Sequence, residues 1–239
     1  MATVKTLDPL NVGTRHVDDV VAVVPLPPGT VLLINGDRLL DCSYQAVTIS
    51  RANIRWAASI FGFEAHLNVP WDCGISISIT WAQRQRGLPG YFAYLLGHEL
   101  GHATTVLSDP ELNCFEDLLV ASIRHVTSRE WRWADLPHER RYDQFGMAVA
   151  ERLFGRAQIE RDFRRVIDEQ LTDNVRRIRD ALLLEPRLDL EGLREDLAAF
   201  SAPYRGPLLT LWRRVKSGRT PGVTASIDRL ESLWDMRTA

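Results

Sequence analysis

The sequence predicts an α+β protein, with a small mixed sheet in its first half and helices thereafter. Three observations predict it. Residues 74 to 82, GISISITWA, alternate Ile75, Ile77 and Ile79 with Ser76, Ser78 and Thr80, the two-residue period of a strand with one polar face. Residues 90 to 107, GYFAYLLGHELGHATTVL, are apolar almost all round with few charges, the pattern of a buried helix. Beyond Pro110 no segment carries strand periodicity, whereas proline and glycine punctuate a succession of helical patterns.

Taken in order, Val20 to Val24 is a short apolar run closed by the turn residues Pro25 to Gly29. Thr30 to Asn35 is β-branched and leucine-rich, and Asn35-Gly36-Asp37 supplies turn chemistry before Arg38 to Tyr44, so a sheet is expected to begin here. Ser50 is placed to cap a helix with Ile54, Ala57, Ala58 and Phe61 on one face and Gly62 at its end, and a strand is expected over residues 64 to 69. The buried helix over 90 to 107 stops at Ser108-Asp109-Pro110, which also starts the next helix, to Val126. Further helices are expected over residues 139 to 154, 158 to 184, 190 to 200, 208 to 217 and 224 to 236. A division is expected between a mixed lobe, residues 1–135, and a helical C-terminal region, residues 136–239.

With 239 residues, 45% of them hydrophobic and 25% charged, the chain has enough apolar material for a core. No apolar run approaches the roughly 18 residues of a membrane span, so no membrane partner is expected. The formal net charge of -2 gives no global field to recruit nucleic acid. The arginine-rich stretch from 156 to 187 sets eight arginines against seven acidic residues, a solvated face rather than a nucleic-acid surface. Cys42, Cys73 and Cys114 are widely spaced, and the first residues lack the basic and apolar regions of a secretory signal, so a reducing, cytoplasmic location is the expectation. P-loop, dinucleotide-binding and nucleophile-elbow motifs are absent from the sequence.

The chemistry concentrates in His98-Glu99-Leu100-Gly101-His102, an HExxH pattern inside the buried helix. A spacing of four puts both imidazoles on one face, where they can ligate one metal, while Glu99 lies about 100° around the axis and reaches a water on that metal. Histidine nitrogen suits Zn²⁺, which lowers the pKa of a bound water toward roughly 7, so that Glu99 can act as general base at neutral pH. Two histidines and a glutamate are costly as core filler, because each needs a polar partner that a metal would supply. Gly97 and Gly101 weaken the helix unless another element approaches its backbone closely.

At these residues the chain resembles the zincin metallopeptidases, over about residues 64 to 126. The resemblance implies a mixed sheet ahead of the motif helix, with an edge strand lining the cleft that pairs with an extended substrate, a part for which residues 74 to 82 are similarly placed. The residues after His102, ATTVLSD, lack the further glycine and histidine of the metzincin pattern, so the third ligand comes from elsewhere. If the helix turns at Ser108 to Pro110 into an antiparallel partner, Glu116 lies opposite His102. That looks like the gluzincin arrangement, in which a glutamate of the following helix completes the site. ELNCFEDLL, residues 111 to 119, is similar to the stretch after HExxH in the IrrE and ImmA group of intracellular metallopeptidases, which would nominate Glu111 instead and implies a regulatory protein as a target.

Asp117 is better suited to orient a histidine, and a remote carboxylate such as Glu151, or another beyond residue 138, stays open. His125, His138 and Tyr142 are candidate donors to an oxyanion, none of them assigned. The expectation is therefore a zinc metallopeptidase acting on a protein or peptide, with metal ligands His98, His102 and Glu116 and general base Glu99. The competing class is a regulatory or binding module that keeps the zincin fold with weak or no turnover and acts through its helical C-terminal region. The oligomeric state is left open.

Overall fold

The computed structural model describes residues 6–7, 14–35, 46–50, 72–78, 88–129, 131–132, 135–167 and 185–216. They form an α+β fold in which every described strand precedes residue 79 and every described segment of regular structure after it is helical. By mutual contact they fall into two units, one from Met1–Leu107 with Tyr142–Leu188 and the other from Ser108–Arg141 with Asp189–Ala239. The units thus interleave along the chain, where the sequence reading expects a single break after residue 135.

In the first unit, β1 (Thr6–Leu7) is followed by α1 (Thr14–Val23), which buries Val17 and Val20 one turn apart. The apolar run Val20 to Val24, read from sequence as leading into a sheet, therefore closes a helix. A run of valines fits either a strand or a buried helical stripe, and the spacing of Val17 and Val20 decides for the helix. Gly29 then turns the chain with a φ of 87°, a left-handed conformation that favours glycine. Its carbonyl accepts the Asp72 N–H at 2.9 Å, and a Cβ there would lie 2.7 Å from Asp72 Oδ2.

That turn sets two strands side by side. β2 (Thr30–Asn35) runs parallel to β4 (Cys73–Ser78) with Leu32 opposite Ile75, β1 runs parallel to β2, and β3 (Ala46–Ser50) runs antiparallel to β4 with Thr48 opposite Ile75. Among the described strands the sheet order β1-β2-β4-β3 corrects one expectation: the alternating segment supplies an interior strand, and β3 stands at the edge. Cys73, Gly74, Ile75, Ser76 and Ile77 are all buried. The alternation marks small against large side chains rather than wet against dry. Ser50, expected to cap a helix, is the last residue of β3. The elements expected over residues 38 to 44, the rest of the helix after Ser50, and those over residues 64 to 69, 79 to 82, 168 to 184 and 224 to 236 lie outside the described residues.

The motif helix, α2 (Pro89–Ser108), begins with proline and glycine, and its Gly90 N–H donates to the buried Asp162 carboxylate at 2.8 Å. The next helix is α3 (Pro110–Thr127), as the Ser108-Asp109-Pro110 signal predicts. Past it run α4 (Pro137–Phe154) and α5 (Arg156–Ile167), with Gly155 between them at a φ of 74°. Ile75 and Ile77 of the sheet, Phe92 and Leu96 of α2, Val149 of α4 and Phe163 of α5 belong to one buried cluster with Val17 and Val20.

The second unit has its own core. Asp109 caps α3, accepting the Leu112 N–H at 3.1 Å, and pairs with Arg194 (Nε to Oδ2 2.7 Å) of α6 (Leu190–Ser201). A turn of 3-10 helix leads into α7 (Arg205–Lys216), whose buried Trp212 donates to Ser122 Oγ at 3.1 Å and meets the Phe115 ring edge-on at 6.0 Å. No described helix is long and apolar enough to cross a membrane.

Candidate metal centre

His98 and His102 stand one turn apart on α2, and their Nε2 atoms lie 3.2 Å apart. Two nitrogens bound tetrahedrally to one Zn²⁺ at about 2.0–2.1 Å would sit about 3.3 Å from each other. The pair thus has the separation that a shared zinc requires. Both rings keep partial exposure, so the centre is not sealed from solvent.

What aims the rings is α4. Asp143 Oδ1 lies 3.0 Å from His98 Nδ1, and a carboxylate there accepts the Nδ1 proton, which leaves the Nε2 lone pair turned toward His102. The Tyr142 ring packs on His102 with centroids 4.0 Å apart, and its hydroxyl donates to Thr105 Oγ1 at 2.7 Å. Tyr142 is fully buried by these contacts and is a packing partner of His102. Among the other oxyanion candidates, His125 is exposed on α3 and His138 is buried beside Glu139, with Nε2 to Oε1 at 3.7 Å.

The close approach that the motif glycines require is present. A Cβ on Gly97 would lie 2.8 Å from Gly146 Cα, one on Gly101 would lie 2.7 Å from the Tyr142 ring, and one on Gly146 would meet the Tyr94 carbonyl oxygen and, at 2.8 Å, the His98 backbone nitrogen. Helices α2 and α4 therefore touch backbone to backbone, which brings the short Asp143 side chain within reach of His98.

Glu99 is buried at 5% exposure, and it is tied to the edge strand rather than to α4. Thr48 Oγ1 stands 2.6 Å from Glu99 Oε2 and 3.0 Å from the Glu99 carbonyl oxygen, either of which its hydroxyl can donate to. One carboxylate oxygen is thereby positioned while the other stays available to a proton. Below it, burial, reinforced by the negative charges of Glu99 and Asp72, pushes the Cys73 thiol far above its usual range, so it stays protonated.

Glu139 lies in the first turn of α4, one helical turn before Asp143, so one face of that helix carries both carboxylates. Glu116 is buried on α3. Glu111 and Asp117 are exposed, and Glu151 is half-buried in the last turn of α4. The sequence reading does not single out Asp143 or Thr48. Asp143 carries a signal, a carboxylate on a helix that is itself predicted. Thr48 carries none, since nothing local marks a threonine on an edge strand.

Compared with protein-family models, curated proteins and solved structures, the chain matches none of them.

Proposed function

We propose that this protein is a zinc-dependent metallopeptidase. The observation that carries the proposal is the pairing of His98 and His102 Nε2 atoms at 3.2 Å, with Asp143 Oδ1 at 3.0 Å from His98 Nδ1 behind them. Two imidazoles completed by one carboxylate are the donor set of a catalytic zinc site that leaves a fourth position open. His98 and His102 would hold the metal, with Glu116 of the sequence reading as the third ligand. A zinc ion so held would supply a Lewis acid that polarises a substrate carbonyl and brings the pKa of a water toward roughly 7.

The chain's own residues account for the rest. Asp143 keeps His98 in the tautomer that presents Nε2. Glu99, with one oxygen held by Thr48, takes the proton from the attacking water and returns it to the leaving amine. Among the described strands β3 stands last in the sheet, and it reaches the general base through Thr48, so an extended peptide would lie alongside it.

Purified protein is expected to hold about one zinc per chain and to hydrolyse an unstructured peptide library, with both properties lost in His98→Ala and His102→Ala. Stoichiometric zinc without hydrolysis would favour the binding module. Stoichiometric zinc retained in both variants would overturn the site.

A further inference from the structure

We infer that Tyr94 is a positioning residue for the metal centre, acting through Asp143 on His98; the inference rests on the zinc reading above. Tyr94, His98 and His102 follow one another at intervals of four along α2 and so share a face. The Tyr94 hydroxyl donates to Asp143 Oδ1, the same oxygen that lies 3.0 Å from His98 Nδ1. Asp143 is 3% exposed, so its charge relies on protein donors rather than water.

A carboxylate held by the imidazole alone could swing about its own bond and carry the ring with it. With a second donor on the same oxygen, the direction of Oδ1 is fixed, and with it the plane and tautomer of His98. The second donor is itself rigid. The Tyr94 ring is 6% exposed and lies edge-on to Phe163, centroids 5.1 Å apart, with the tilted Tyr91 ring at 5.6 Å. Gly146 packs against the Tyr94 carbonyl, so the donor and the acceptor belong to two helices already in backbone contact. A phenylalanine at 94 would keep that packing and delete only the hydroxyl, which separates the hydrogen bond from the ring.

The test is zinc affinity, measured on the full chain by competition with a chromophoric chelator, for wild type, Tyr94→Phe, Asp143→Ala and the double variant. Loss of a partner one step from a metal ligand typically costs 10–100-fold. Asp143→Ala is expected in that range and Tyr94→Phe at roughly threefold to tenfold. Tyr94→Phe in the Asp143→Ala background is expected to have no further effect, because its route to the metal is gone.

A second readout needs no metal. The imidazole nitrogen shifts of His98 in the zinc-free protein are expected to report a single Nδ1–H tautomer in wild type and a mixture in Tyr94→Phe, and this pair stays informative if Asp143→Ala does not fold. Unchanged zinc affinity and an unchanged tautomer in Tyr94→Phe overturn the inference alone, as does an equal loss in both backgrounds. A wild-type protein that takes up no zinc overturns the metal reading and this inference with it.

Discussion

Glu99 and Glu116 are both buried carboxylates, yet different parts are proposed for them: Glu99, tied to the sheet by Thr48, is the base, and Glu116 is the third ligand. Their substitutions should therefore separate cleanly. Glu99→Gln keeps shape and a hydrogen-bond acceptor but removes the base, so peptide hydrolysis is expected to fall by roughly 10²- to 10⁴-fold with zinc content unchanged. Equal activity in wild type and variant would remove Glu99 from the chemistry. Glu116→Ala is expected to weaken zinc binding by more than the roughly 10–100-fold typical of a partner outside the ligand set, whereas Glu111→Ala should leave it within a few-fold. Chelator competition ranks the two, and a large loss in Glu111→Ala alone would reverse the ranking in favour of Glu111.

At the scale of elements, the centre depends on how near α2 and α4 run. Gly146 meets the Tyr94 carbonyl and the His98 backbone nitrogen, atoms that cannot rotate away, so Gly146→Ala must push the helices apart. Overpacking of this kind costs typically 1–3 kcal/mol, and thermal unfolding should register it as a Tm lower by several degrees. Zinc affinity should fall as well, because Asp143 would be carried away from His98. Gly206, near the start of α7, has no atom within 4 Å of where a Cβ would stand and provides the control. Gly206→Ala is expected to leave Tm unchanged or raise it slightly, since alanine is favoured over glycine in helices by about 0.5–1 kcal/mol. An equal loss in both variants would mean that helix propensity, not interhelical distance, controls the effect.

For the whole molecule, a metal held only by the folded chain stabilises it by mass action. At free zinc about 100-fold above Kd the gain is about 2.7 kcal/mol, or roughly 5–10 °C in Tm for a chain of this size. Stripping the metal with a chelator should lower Tm by that amount, and added zinc should restore it. The shift should vanish in His98→Ala. A wild-type Tm indifferent to chelator and zinc would mean that the folded chain does not hold the metal.

The sequence by itself determined the class of fold, the course of α2 and α3 around Asp109, and the pairing of His98, Glu99 and His102, because these follow from periodicity, capping and the four-residue spacing of a helix. It also required something to lie close against Gly97 and Gly101, though not which element. Tertiary structure decided the rest. Whether 73–78 is an edge or an interior strand depends on what pairs with its far side, and β3 does so in an order that no local pattern encodes. Likewise the carboxylate hydrogen-bonded to His98, that of Asp143, comes from α4, more than 35 residues further along the chain than His102. Helical spacing specifies which side chains of one helix share a face. Which second helix meets that face is settled by packing, here by the small residues Gly97 and Gly146 that let two backbones touch.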